Sequence, residues 1–174
     1  MSTPPTGVAL VAFGRQHLAS TLQWTNDPEL ARLLDRRDRV TEDEHQRWFD
    51  SLGGRHDTVF FAIEEESVHI GNVWLADINA RHRKAEVRVV LAPNAANRGR
   101  GSRAIELVTV EAFGRMNLHR LYAFVLAFNP RGRRAFEKAG FAIEGTLRDD
   151  RVDGAGFVDA VLLSRINTIT ATVE

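Results

Sequence analysis

Cysteine is absent from the chain. That excludes a disulfide framework, a thiolate nucleophile and a cysteine zinc site. Six histidines are present, but they are scattered and form no HExxH pair, so no metal is expected. Lysine is scarce too. Lys84 and Lys138 are the only two among 23 basic residues, and the others are arginines, whose planar fork suits phosphate and carboxylate. Neither sign of charge is in excess, because 23 acidic residues balance the basic ones. A strongly basic nucleic-acid binder and a polyacidic tail are therefore disfavoured. No apolar run approaches the roughly 18 residues of a membrane span, and residues 1–7 hold no apolar signal segment. The expectation is a soluble cytoplasmic protein with neither a nucleic-acid nor a membrane partner.

What is present is an ordinary globular mixture, 44% hydrophobic and 26% charged over 174 residues. One domain spanning 1–174 is expected, long enough to bury a core without staples. Residues 8–13 read as a first strand and 15–24 as a helix. Asp27 caps a helix that starts at Pro28. Thr41 and Glu44 form a capping box, and the helix they open carries His45, Trp48, Phe49 and Leu52 before Gly53 and Gly54 end it. Strands follow at 59–63, 68–78 and 85–92, joined by short turns as an antiparallel meander. After Pro93 comes a polar loop and a long helix with Ile105, Val108, Ala112 and Met116 on one stripe. Residues 119–128 read as a central strand, and Asn129, Pro130 and Gly140 bracket a further helix. Two closing strands, 141–147 and 157–166, turn at Asp153 and Gly154, and a threonine-rich tail at 167–174 frays. The order implies an α/β (α+β type) fold with a mixed sheet.

The most informative stretch is Asn97-Arg98-Gly99-Arg100-Gly101-Ser102, which follows a strand and opens a helix. Two glycines let consecutive amides point inward, and the helix N-terminus adds about half a positive charge, so the loop can form an anion nest. Equally, the glycines can serve turn geometry alone. A Walker A loop is excluded by the missing Gly-Lys-Ser/Thr ending, and Ala104 breaks the GxGxxG pattern of a dinucleotide fold.

Together with its neighbours this stretch resembles the GNAT superfamily of acyl-CoA-dependent N-acetyltransferases. The block from Ala85 through Pro93, then Gly99-Arg100-Gly101-Ser102, is similar to that family's fourth strand and pyrophosphate loop. Asn129, the run Ala135-Phe136-Glu137-Lys138-Ala139-Gly140-Phe141, the segment Glu144 to Arg148 and Asp159 continue the likeness along nearly the whole chain. The resemblance implies a mostly antiparallel sheet with helices on both faces and splayed fourth and fifth strands. It implies acetyl-CoA as co-substrate, held by Val89, Val90, Leu91, Asn97, Arg98, Gly99, Arg100, Gly101, Ser102, Asn129 and Arg134, with no metal. It also implies Glu86 as the base that assists an amine; a Glu86–Arg88 ion pair on a solvated face is the plain alternative.

Two positions depart from the family pattern. Ala96 stands where a Gln or Arg is usual, and Phe136 stands where many members carry a proton-donating tyrosine. Tyr122 is the only tyrosine, and nothing in the sequence brings it to the site. A thiolate of pKa about 8.5 leaves adequately without an acid.

For the acceptor, the Trp24-Thr25-Asn26-Asp27-Pro28 segment and the Thr41 to Phe49 segment resemble the branch that acetylates nucleotide-linked amino sugars. Trp24, Asn26, His45, Trp74 and Asn79 are the expected acceptor contacts, with His45 free of the core. Arg36, Arg37, Arg39, Arg81 and Arg83 are available for a diphosphate. The alternatives are protein N-termini in the ribosomal-type manner, polyamines or aminoglycosides, for which Glu42, Asp43 and Glu44 offer acidity. From another class come a non-catalytic acyl-CoA sensor and a structural partner protein. The closing strands could also pair across a homodimer.

Overall fold

The computed structural model describes residues 7–36 and 38–168. Seven strands form one sheet in the order β1-β2-β3-β4-β5-β7-β6. They are β1 (Val8–Ala12), β2 (Val59–Glu65), β3 (Val68–Asn79), β4 (Lys84–Leu91), β5 (Arg120–Leu126), β6 (Ala142–Asp153) and β7 (Gly156–Ile166). Every neighbouring pair is antiparallel except β4–β5. The helices are α1 (Leu18–Thr25), α2 (Pro28–Leu33), α3 (Glu42–Leu52), α4 (Arg100–Phe113) and α5 (Pro130–Lys138).

Local chemistry sets the helix starts. Asp27 Oδ1 accepts from Leu30 N at 3.0 Å with Pro28 in the first turn. Thr41 and Glu44 close the expected box, with Glu44 N donating to Thr41 Oγ1 and Thr41 N to the Glu44 carboxylate. Asn129 Oδ1 accepts from Gly132 N at 2.9 Å at the head of α5. Two expected elements differ. The helix expected at 15–24 is a 3₁₀ turn, Arg15–His17, followed by α1. Gly14 N donates to His17 Nδ1 at 3.0 Å and tightens that turn. The sixth strand runs to Asp153, six residues past the expected end, because it pairs with β7 almost to the hairpin turn. Residues 142–149 are exposed throughout, and register shifts interrupt the pairing, so this edge strand shows no alternation to read. In the expected frayed tail, Asn167 N donates to His119 O at 2.8 Å, and residues 169–174 lie outside the described ones.

One face of the sheet packs on α4, whose Ala104, Ile105, Val108 and Ala112 are fully buried against Val73, Leu75, Val87 and Leu121. On the other face α1 contacts β3 and α3. The feature that matters for function lies at the centre. β4 and β5 pair over three positions only, Lys84–Arg120, Ala85–Leu121 and Glu86–Tyr122. Beyond them β4 stays with β3 as far as the Gly71–Leu91 pair, while β5 stays with β7 as far as Leu126–Ala160. The two strands part, as the family resemblance implied, and leave a cleft.

Gly71 fixes how closely β3 hugs β4. A Cβ there would sit 3.0 Å from Leu91 Cα and 2.8 Å from Leu91 Cδ2, with the Val90 carbonyl oxygen nearer still. Gly71→Ala is expected to cost about 1–3 kcal/mol and to lower the melting temperature by about 2–4 °C per kcal/mol. Gly145→Ala, with nothing within 4 Å of its new Cβ, should melt within about 1–2 °C of the parent. Equal melting of the two variants in a thermal scan would refute this account of the β3–β4 contact.

Candidate active site

The cleft has two lobes that meet at Leu33, Leu34, Val89, Val90, Asn129 and Gly132. One, of about 950 Å³, lies over the face that carries Glu86. The other, of about 430 Å³, runs along the loop after β4 to α5.

The backbone of β4 is open to the cleft. Alternate residues of an antiparallel strand turn their peptide groups to the same neighbour. Ala92 N donates to Ile70 O at 2.8 Å, so in this register Arg88 and Val90 also face β3. Val87, Val89 and Leu91 then turn their peptide groups toward the gap. Val90 lines the cleft too, but its own peptide groups face β3.

In the smaller lobe, Asn97 (φ 69°) and Gly99 (φ 74°) curl the loop into the head of α4. A left-handed Gly99 leaves the first amides of α4 uncapped by a side chain and open to an anion. Asn97, Gly99, Gly101, Ser102 and Arg134 line this lobe, as expected. Arg98 and Arg100 do not. Arg100 is turned away to Glu65 on β2, its Nε 2.9 Å from Oε1 in a two-pronged pair, and its Nη1 reaches Ala95 O at 3.4 Å. The pair raises the Arg100 pKa and lowers that of Glu65. Arg100 therefore staples the loop to the sheet, and Arg98 points to solvent. The cations along the lobe come from α5: Arg131, Arg134 and Lys138. Arg131 and Lys138 were missed, although their spacing of three and four around Arg134 marks one helix face.

In the larger lobe Glu86 is only 5% exposed. Arg88 Nη2 donates to its Oε2 at 2.8 Å, and this bond is the main reason the Arg88 pKa is raised. The ion pair of the plain alternative thus forms, but on a cleft wall and not on a solvated face. Asp77 joins the same wall from a β-bulge at φ 50°, and sequence reasoning missed it. Tyr122 stands beside Glu86 in register, and burial, then Asp77 and Glu86, raise its pKa. Its ring packs on Phe124 and under Lys84 and is not among the cleft residues. Phe136 does reach the wall, buried and edge-on to Phe141, and has no proton to give.

Of the expected acceptor contacts, Trp24, His45 and Trp74 line the larger lobe. His45 is nonetheless buried, with Trp48 stacked on it at 5.0 Å. Burial lowers its pKa, and its Nε2 has no partner among the described residues. Asn26 is not on the wall: its amide clasps Val40, donating to O at 2.9 Å and accepting from N at 2.8 Å. Asn79 accepts from His82 N and shapes the turn after β3. Arg36 and Arg39 line the lobe; Arg83 donates instead to Asn117, Arg81 lies outside the cleft, and Arg37 is outside the described residues. Glu42 and Asp43 are not on the lining, and Glu44, which is, holds its carboxylate on Thr41, which lowers its pKa.

Behind this wall a buried chain of hydrogen bonds locks α1 to β3. Fully buried Asn72 donates to Thr21 Oγ1 at 3.0 Å, so its Oδ1 accepts from His69 Nε2 at 2.9 Å. That leaves His69 Nδ1 facing the Ser20 hydroxyl at 2.6 Å. Among the described residues no cluster of His, Asp and Glu is arranged to hold a metal ion.

Comparison with known proteins bears on the family and the fold. Spermidine N(1)-acetyltransferase of Escherichia coli K12 is 33% identical over 87 residues, covering 50% of this chain and 47% of that protein. The Vibrio cholerae enzyme of the same name is 33% identical over 91 residues, covering 52% and 53%. The chain thus spans about half the length of the curated relatives it matches. A crystal structure of Vibrio cholerae spermidine N-acetyltransferase with CoA and spermine superposes with a TM-score of 0.88 over 92% of this chain and 96% of that one. At 23% identity that likeness speaks for the fold. The family model described as "Acetyltransferase (GNAT) domain" matches residues 8–142, and with it the expectation is met: the chain belongs to the GNAT acetyltransferase family.

Proposed function

We propose that this protein transfers an acetyl group from acetyl-CoA to a primary amine of a polyamine. The observation that carries the reading is the open edge of β4, which joins the loop at the head of α4 to buried Glu86 at the point where the strands part. The residues present fit the co-substrate. Peptide groups of Val87, Val89 and Leu91 can pair with the extended pantetheine arm as an added strand would. The uncapped amides after Gly99 receive the pyrophosphate, and Arg131, Arg134 and Lys138 supply positive charge beyond it.

In the reaction the amine nitrogen attacks the thioester carbonyl. The C–N bond forms, the C–S bond breaks, and CoA leaves as the thiolate. A β4 amide facing the gap stabilises the oxyanion. An alkylamine of pKa about 10.4 is almost wholly protonated at neutral pH, so a proton must leave before attack. Glu86 takes it, directly or through water, while the Arg88 guanidinium holds the carboxylate in place. Once bonded to carbon, the nitrogen gives up its second proton to water, and the departing thiolate takes a proton from solvent, since Phe136 offers none.

The polyamine replaces the nucleotide-linked amino sugar expected from the sequence. The spermidine acetyltransferase relatives support it, and of the arginines available for a diphosphate Arg36 and Arg39 line the lobe but Arg81 and Arg83 are away from the cleft. The Asp77 carboxylate lines the larger lobe beside Glu86, which is paired with Arg88, and suits a cationic acceptor. Glu86 at the reacting end also favours catalysis over a non-catalytic acyl-CoA sensor.

Thiol release from acetyl-CoA with spermidine tests the reading. Glu86→Gln should lower kcat by about 10²–10⁴-fold while calorimetry finds CoA binding unchanged. The loss should shrink toward pH 10, where the free amine no longer needs a base. Undiminished turnover in Glu86→Gln would remove Glu86 from the mechanism, and CoA binding without turnover on any amine would leave the sensor. Arg134→Ala and Lys138→Ala should each raise the KM for acetyl-CoA about three- to tenfold. An unchanged KM in both would move the phosphates off α5.

A further inference from the structure

The larger lobe carries an aromatic wall that the chemistry at Glu86 does not use. Phe60 on β2 lies opposite Trp74 on β3, which lies opposite Arg88 on β4. The two rings stack with centroids 4.9 Å apart at 20°. From α3, Trp48 meets Phe60 edge-on at 5.2 Å and 78°. Phe13 buttresses the group from behind, 4.9 Å from Phe60 and 5.8 Å from Trp48, and is not on the cleft surface. The three front rings are half-buried and line the same cavity as Glu86. A fold that needed them only as core would bury them.

Their distance from the reacting point is set by the sheet. Glu86 pairs with Ala76, so Trp74 is one strand over and two residues along. With strands about 4.8 Å apart and residues about 3.3 Å apart, the wall begins roughly 8 Å from the Glu86 backbone, and Phe60 is one strand farther. A small monoamine held at Glu86 reaches at most the near edge of the wall, whereas an amine on a chain of several methylenes lays its far end across the rings.

The ring faces attract cations through their quadrupole and cover methylenes as any apolar surface does. Neighbouring charge is mixed, since Arg36 and Arg39 line the same lobe, but the groups beside the rings are largely offset. Burial disfavours the charged form of His45, which stacks behind Trp48. Arg88 and Arg55 on the same lining each have a carboxylate partner, Glu86 at 2.8 Å and Asp57 at 3.2 Å.

We infer that Trp48, Phe60 and Trp74 form the second subsite of the acceptor, which takes the methylene chain and distal ammonium of a diamine or polyamine whose near amine reacts beside Glu86. The inference rests on the acetyl-transfer reading above. It assigns acceptor length and distal charge to the wall and leaves the chemistry to Glu86.

The experiment compares two acceptors, spermidine and an amine of the same length with a hydroxyl in place of the distal ammonium. In Trp74→Leu the KM for spermidine should rise about tenfold and that for the hydroxyl analogue much less. Phe60→Leu should act in the same direction, and Trp74→Phe, which keeps a ring, should restore most of the preference. Equal changes for both acceptors, or none, would overturn the subsite. Calorimetric binding of spermine to the CoA-loaded protein reads the wall without turnover. If Trp74→Leu weakens that binding but no acetyl is transferred, the wall stands and the transfer reading fails. Transfer to short monoamines with no preference for spermidine upholds transfer and sinks the wall. If the parent protein binds no amine, both fail.

Discussion

Everything at the centre of this molecule follows from the early end of the β4–β5 pairing. A parallel pair that continued past Glu86–Tyr122 would satisfy the peptide groups of Val87, Val89 and Leu91 and close the sheet. It stops there, and beyond it β4 follows β3 as far as the close approach at Gly71 while β5 follows β7 as far as Leu126–Ala160. Peptide groups left unpaired inside a protein demand partners. A cleft edged by a strand of unmet donors and acceptors, leading to a helix start whose amides no side chain caps, is an arrangement that the proposed long amide-containing ligand would complete.

Charge is arranged by the same economy. A chain with 23 basic and 23 acidic residues could be read as carrying many free arginines. Much of that set instead staples elements together. Arg100 ties the loop after β4 to β2, Arg32 bonds Asp153 across α2 and the β6–β7 turn at 2.6 Å, and Arg83 ties the turn before β4 to Asn117. Arg151 reaches Asp35 at 3.3 Å while its guanidinium lies 5.7 Å from the Phe124 ring. The cations along the smaller lobe are those on one face of α5.

These distinctions explain what the sequence could and could not disclose. The helix caps at Asp27, Thr41 and Asn129 were legible because each is a local pattern decided within three residues. The meander was legible from its alternation, and the loop at Gly99 from its glycine spacing and the family likeness. Partner choice across the sheet was not. Whether Arg100 faces phosphate or Glu65 depends on β2, 35 residues away in the chain. Asn26 and Asn79 have the chemistry of binding residues, yet their amides are taken by Val40 and His82. His45 sits at helical spacing with Trp48 and Phe49, a pattern that in hindsight announced burial. Asp77 could not be found, since the bulge that aims it is a register shift invisible to a single strand read alone.

Phe136, the departure from the family pattern that lines the larger lobe, also fits the proton balance of the proposed transfer. At neutral pH only about one alkylamine in a few thousand is unprotonated, whereas a thiolate of pKa about 8.5 is within two pH units of its working form. Removing the ammonium proton is the harder task, and the site spends its buried carboxylate there. Protonating the thiolate after the C–S bond breaks is the easier one and can be left to water. A phenol at position 136 would trade the ring's packing against Phe141 for a hydroxyl on a step that is not limiting. A cleft wall with a carboxylate and no acid is therefore consistent with an enzyme whose difficulty lies in its nucleophile.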